Sequence, residues 1–417
     1  MKAYIEHPAS SLNTRLFLTS AVAALAIGYG AESQAGATFK IDDTKWVSVG
    51  AGLRSSFRAQ EGNAGATGDK WNNSFNLDNI RLYLNGQIHK YLKIEFNTEC
   101  PTCNSGGQIH VLDAIGKFEI TPYANLWVGR MLVPAERREL NGPFYSAVYN
   151  IFSAGTPFQP SDYNLTIQNN GSSAGSIGRD DGATFWGAVL DGRLQYSVGF
   201  FRGLRGGANV DDNILYAQRV SYNFWDVEKN PGYYTSGTYH GKGGDILTVG
   251  IANQYQEDGA GTTASPANFR GTTADVLMEK VLPNGGVVTF NGEYKNYGLS
   301  NGFGQVERDA ATPFAPGVFG MFEGNAYDVS GMYLFPQKVG IGQFQPYLRY
   351  VNVMPSTSSG REVYEGGVNY VIDGHNAKIF AAYQYGDLLT KGLATNFKST
   401  DAGENASQVM VGFQWQI

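Results

Sequence analysis

The stretch Gln408-Val409-Met410-Val411-Gly412-Phe413-Gln414-Trp415-Gln416-Ile417 alternates. In an extended chain Val409, Val411, Phe413, Trp415 and Ile417 point one way, while Gln408, Gly412, Gln414 and Gln416 point the other. Such a strand carries an oily aromatic face and an amide face, so it separates lipid from water. The same period of two recurs. Val47, Val49, Ala51, Leu53 and Phe57 alternate with Ser48, Gly50, Gly52, Arg54, Ser56 and Arg58. Ile80, Leu82 and Leu84 alternate with Arg81, Tyr83 and Asn85, and Leu92, Ile94 and Phe96 with Lys93, Glu95 and Asn97. Sixteen such segments are predicted, at 46-59, 76-88, 92-99, 109-119, 124-133, 182-190, 194-202, 214-225, 245-256, 273-282, 287-298, 326-335, 343-353, 361-373, 377-387 and 407-417. A sheet in lipid has to close, because an open edge leaves backbone groups unsatisfied. The predicted fold is all-β: a transmembrane antiparallel β-barrel of about 16 strands, its last strand pairing with its first.

The connections alternate too. On one side they are mostly short, as at His89-Lys90-Tyr91, Asp191-Gly192-Arg193 and Asp373-Gly374-His375-Asn376. On the other they are mostly long: 60 to 75, 204 to 213, 257 to 272, 300 to 325 and 390 to 406. Short turns inside the cell envelope and long loops outside is the outer-membrane pattern, and an even strand number puts both termini on the short-turn side. The connection from Asp226 to Gly244 departs from it, being long on the short side. The longest excursion, Pro134 to Arg179, holds Phe144, Tyr145, Tyr149, Ile151, Phe152 and Phe158 and needs a wall to pack on. It is predicted to fold into the lumen as the long third extracellular loop. A two-strand insertion or an extracellular cap is the alternative.

Composition fits one barrel better than the several globular domains that 417 residues would otherwise suggest. There are 54 Gly, 25 Tyr and 24 Phe against 16% charged residues. A net charge of -6 gives no basic footprint, so nucleic acid is not an expected partner. The apolar run Leu16 to Gly30 follows Lys2 and Arg15 and precedes Ser33-Gln34-Ala35. Residues 1-35 read as a cleaved signal peptide, with 36-417 the barrel; a membrane-anchor helix is the alternative, but the run is short for a span. The pair Cys100 and Cys103 lacks the His that a c-type haem site needs and the further ligands that zinc needs. A small disulfide closing a loop tip in an oxidising compartment is expected.

Several stretches carry a family resemblance. Gly178-Arg179-Asp180-Asp181-Gly182-Ala183, followed by Leu190-Asp191-Gly192-Arg193-Leu194-Gln195-Tyr196-Ser197-Val198-Gly199-Phe200, resembles the GRDxG … LLDGRLxYxxGxFNG stretch of the phosphate-selective porin O/P family. Leu126-Trp127-Val128-Gly129-Arg130 with Val133-Pro134 and Glu136 is similar to its VGQFKVPFxxE segment. Pro231-Gly232-Tyr233-Tyr234 with Gly237-Thr238-Tyr239, and Gly366-Gly367-Val368-Asn369-Tyr370 with Gly374-His375-Asn376-Ala377-Lys378, resemble its PGYYxxxTYYG turn and GxNYYxNGHNAK hairpin. These are turn and strand signatures without catalytic residues. The resemblance implies a sixteen-stranded trimeric outer-membrane porin, with its third loop in the pore and a preference for anions or phosphate.

Candidate anion contacts are the cations on the lumen parity: Arg54, Arg58, Arg81, Lys93, Arg219, Lys295 and Arg349, with Arg137 and Arg138 opening the inward loop. Arg54 and Arg58 lie about 13 Å apart by strand rise. With Arg81 between them they would form a guanidinium ladder for oxyanions. Glu95, Asp113, Glu119, Glu293, Asp328 and Glu365 share that parity. Charges face water in any barrel, because one facing lipid at mid-depth costs about 2–4 kcal/mol. No nucleophile, base and orienter come together in the sequence, so an enzyme is not expected, and neither cofactor nor metal is implied. A diffusion channel for small hydrophilic solutes is the leading reading. A barrel sheathing a partner, such as an exported electron carrier, is the alternative.

Overall fold

The computed structural model describes residues 36–66, 68–100, 109–149, 178–203, 209–299, 324–355, 361–388 and 405–417. The expected signal peptide, 1–35, lies outside them. In chain order the strands are β1 (Ala37–Lys40), β2 (Trp46–Ala64), β3 (Lys70–His89), β4 (Leu92–Glu99), β5 (His110–Glu119) and β6 (Asn125–Leu132). A short helix, α1 (Arg137–Asn141), precedes β7 (Arg179–Val189), β8 (Leu194–Phe201), β9 (Leu215–Asn223), β10 (Ile246–Thr262), β11 (Ser265–Val281) and β12 (Val287–Leu299). The remainder are β13 (Gly324–Leu334), β14 (Lys338–Val339), β15 (Gly342–Pro355), β16 (Arg361–Asp373), β17 (Ala377–Gly386) and β18 (Ala406–Gln416).

All eighteen belong to one sheet, and all but the short β1 and β14 form a sixteen-stranded wall. Each wall strand runs antiparallel to its sequence neighbours. Closure comes from β18 on β2, with Gln408 opposite Gln60, Val411 opposite Phe57 and Gln416 opposite Gly52. The short β1 takes the same edge of β2 further along, where Ala37 faces Val49. Every wall strand therefore has a partner on both sides, which a spanning sheet requires.

The alternation sorts the side chains as expected. Val411, Phe413 and Trp415 are exposed on the outer face, whereas Gln408, Gln414 and Gln416 are buried. The order of a soluble protein is inverted, with an outer surface of Leu82, Phe185, Val220, Ile251 and Leu348 around buried Arg, Asp, Glu and Gln. No helix among the described residues is long and apolar enough to cross a membrane.

Strand positions agree with the sequence reading, with two corrections. The stretches 60 to 75 and 257 to 272, expected as long loops, are largely strand. Gln60 still faces Asn72 and Ala64 faces Lys70; Ala260 faces Ala267 and Thr262 faces Ser265. In the second hairpin the inward positions Ala267 and Phe269 are apolar and buried, so the polar-inward alternation is inverted there.

Two connections pack against inward-facing side chains. Residues 133–149 begin at the long-loop end, and most of them are buried. The anomalous 226–244 comes from the short-turn end, and Tyr233, Thr235, Ser236 and Thr238 are buried in it. The two segments meet: Thr235 N donates to Leu140 O, and Gly237 N donates to Tyr145 O at 2.9 Å. Trp127 of β6 sits at the junction with Tyr233 and Tyr234, ring centroids 5.3 and 5.4 Å away. Gly232, with φ +62, lies so close to the Trp127 ring that a Cβ there would sit 2.3 Å from it. Residues 150–177 of the long excursion lie outside the described residues.

Candidate functional site

The inner wall is built from the polar parity of each strand. Across four neighbouring strands, register aligns Lys378, Gln414, Arg54 and Asn79 in one row. Strand spacing of about 4.8 Å puts the first and third of these about 10 Å apart. The row grips the backbone of 144–149. Gln414 Nε2 donates to Phe144 O at 2.7 Å, Lys378 Nζ to Ser146 O at 2.8 Å, and Arg54 Nη2 to Tyr149 O. Next to it, Asn369 Nδ2 donates to Ala147 O at 3.0 Å. Side chains add to this: the Tyr149 ring stacks on Phe380 at 3.6 Å, and its hydroxyl donates to Asp78 at 2.7 Å.

The opposite part of the wall holds residues 135–138 by charge. Arg137 makes a two-pronged pair with Glu228 at 2.8 and 2.6 Å, donates to Ser236 O at 2.9 Å and lies 3.5 Å from Asp275. Arg138 N donates to Glu293 at 2.7 Å, and its guanidinium meets Asp328. Lys295 pairs with Glu136. Arg219 joins Asp275 and donates to Ala135 O at 3.1 Å. Arg349 bridges Asp328 at 2.7 Å and Glu365 at 3.2 Å. Buried ion pairs of this kind balance desolvation only when the remaining hydrogen-bond groups are also met. On the short helix, Glu139 is buried with no partner for either carboxylate oxygen among the described residues.

All nine candidate cations stand on the inner wall or the inward segment, but not as free donors. Arg58 pairs with Asp78 at 2.7 Å, Arg81 with Glu99 at 2.6 Å and Lys93 with Glu119 at 2.7 Å. Among the nine, only Arg54 has no carboxylate within 4 Å among the described residues; its guanidinium takes Asn79 and lies 3.8 Å from the centre of the Tyr149 ring. The expected ladder order is corrected. Arg81 faces Gly52, beyond Arg54 rather than between Arg54 and Arg58. Arg54 faces Asn79, so Arg81 falls two residues further along that pairing, away from Arg58.

Sequence reasoning missed Lys378 and Lys117. Both alternate with outward Ile379 or Phe118, so parity alone could have found them. Lys117 pairs with Glu95 and lies 3.9 Å from the centre of the Trp127 ring. Lys378 has no carboxylate within 4 Å among the described residues. Cys100 is buried; its expected partner Cys103 lies outside the described residues.

One histidine does approach a serine. His375 Nε2 is 3.1 Å from Ser236 Oγ and 2.8 Å from Thr238 O. A carbonyl only accepts, so Nε2 carries the proton and cannot take one from the hydroxyl. The pair is no nucleophile and base. Among the described residues, no group of three or more His, Cys, Asp or Glu is placed to hold a metal ion.

No family model and no curated protein matches the chain. Solved structures do. An anion-selective porin from Comamonas acidovorans aligns at TM-score 0.56 and 12% identity, over 89% of this chain and 100% of its own. OmpF of Salmonella typhi, in complex with daunomycin, aligns at 0.56 and 14%, over 91% and 100%. OprB of Pseudomonas putida aligns at 0.52 and 8%, over 89% and 94%. At such identities the likeness is one of fold, and the chain has the closed sixteen-stranded barrel fold of these outer-membrane porins.

Proposed function

We propose that the protein is an outer-membrane porin, through which small hydrophilic solutes diffuse down their gradients. The carrying observation is the inverted barrel, closed by β18 on β2, apolar outside and charged inside. Short turns face the periplasm in this reading, and residues 133–149 form the constriction. Assembly as a homotrimer, secretion by the 1–35 signal and a Cys100–Cys103 disulfide belong to the same reading. The implied phosphate or anion preference rests on Arg54 and Lys378, because carboxylates accompany the other candidate cations. The sheath alternative loses support from the chain's own segments 133–149 and 226–244, which occupy inner wall that a partner would need.

The test is the reversal potential of the purified protein in a planar bilayer under a potassium chloride gradient. Stepwise conductance with anion selectivity supports the porin with an anion-preferring wall. Conductance with cation selectivity keeps the porin and removes the anion preference. Folded protein without conductance at either pH 7 or pH 5 refutes the channel.

A further inference from the structure

The segment 226–244 has a seam at its contact with the 374–376 turn. His375 Nε2 donates to Thr238 O across it, and the His240 ring lies 4.9 Å from the His375 ring, centre to centre. Tyr145 of the inward segment packs on His375 from the third side, at 5.4 Å. His375 thus touches the barrel turn, 226–244 and 133–149 at once.

Two cations and two carboxylates stand near the two rings. Lys378 of β17 and Lys242 of 226–244 both act on each ring. Lys242 holds Asp373 at 3.6 Å, so that carboxylate is engaged. Glu279 of β11 accepts from Thr238 Oγ1, Tyr239 N, Gly241 N and Thr289 Oγ1, and is committed to the same turn. Only the Thr238 and Phe144 carbonyls favour an imidazolium at His375.

We propose that 226–244 is an acid-released plug: protonation of His375 and His240 expels it from the barrel end that it fills. Two imidazoliums beside Lys378 and Lys242 repel one another in a half-buried site. The segment carries His240 and Lys242, and the wall carries His375 and Lys378, so repulsion acts across the seam. Burial, then Lys378, pushes the His375 imidazole down to about 3. Burial, then His375, pushes His240 well below its ordinary value. Once released, each ring regains an ordinary value of 6.5. Going from pH 7 to pH 5 then favours release by roughly 25-fold through His375, and His240 acts in the same direction.

The inference rests on the channel reading only for its electrical readout, so the test has two arms on the full mature barrel. Hydrogen exchange in detergent, corrected for intrinsic rates, follows the Gly237 and Gly241 amides at pH 7 and pH 5. Bilayer current follows conductance over the same range. Expected are lost protection and raised conductance at pH 5 in the wild type. Both responses should be absent in His375→Gln with His240→Gln, whose amides hydrogen-bond without charging. Protection unchanged between the two pH values, or an undiminished response in the glutamine variant, overturns the switch. Lost protection with no current at any pH supports the switch and sinks the channel. A steady current with protection intact sinks the switch alone.

Discussion

Removing Arg137 should strand a buried carboxylate, and the effect can be worked out from its contacts. Glu228 has this single cationic partner within 4 Å among the described residues, whereas Asp275 keeps Arg219 and Asp328 keeps Arg349. Burial pushes the Glu228 carboxyl up, but the Arg137 guanidinium prevails and holds it at about 2, against an ordinary 4.5. The folded value is depressed, so the stabilisation is present above pH 4.5 and is lost as pH falls through 4.5 towards 2. The interval corresponds to about 3 kcal/mol at pH 7. Breaking a buried pair by deleting one member generally costs about 3–5 kcal/mol, which agrees. Arg137→Ala should therefore destabilise by about 3 kcal/mol or more, and Arg138→Ala by less, because its acceptors retain Arg349 and Lys295. Adding Glu228→Gln to Arg137→Ala removes the stranded charge and should recover about 2 kcal/mol. Urea unfolding in detergent, followed by heat-modifiable mobility and tryptophan fluorescence, supplies the double-mutant cycle. Simple additivity of the two substitutions, within about 0.5 kcal/mol, would refute the reasoning.

Three other substitutions test separate parts of the structure. Val411→Arg on the outer face should cost about 2–4 kcal/mol in folding into lipid bilayers; a folded yield equal to wild type would contradict the assigned face. Gly129→Ala should cost about 2 kcal/mol, since φ is +129 and the new Cβ would lie 2.1 Å from Ala114 O; an unchanged urea midpoint would show that the strand relaxes. Arg54→Ala should lower the chloride-to-potassium permeability ratio more than Arg58→Ala, because Asp78 already balances Arg58. Equal effects in reversal-potential measurements would count against Arg54 as the selective group.

The wall was legible because lipid enforces it. A misplaced charge at mid-depth costs as much as a core cavity, so Val409 to Ile417 can alternate only one way. Where that constraint lapses, so does the pattern: in the hairpin around 257–272 the buried Ala267 and Phe269 face inward while Asn268 and Arg270 face outward, the reverse of the parity read elsewhere. The site was legible in membership and not in pairing. Parity placed Arg81 inside, but its contact with Glu99 depends on the β3–β4 register, which sets Tyr83 opposite Asn97 and which no local motif announces. Lys378 was overlooked because its hairpin was read for the turn and not for its inward side chain. The length of 226–244 was visible, yet its meeting with Tyr145 and His375 joins residues about a hundred positions apart.

A hollow sheet one layer thick resists stretching along its strands but yields easily to being squeezed into an ellipse. Residues 135–149 reach Asp275 and Glu293 at one end and Arg54 and Asp78 at the other, on strands that face each other across the sixteen-membered ring. A tie of this sort acts as a spoke. Lateral pressure from the bilayer would have to break ionic and carbonyl contacts on both rims before the cross-section could flatten. In the proposed channel, the bore would thereby be uncoupled from the tension of the membrane around it.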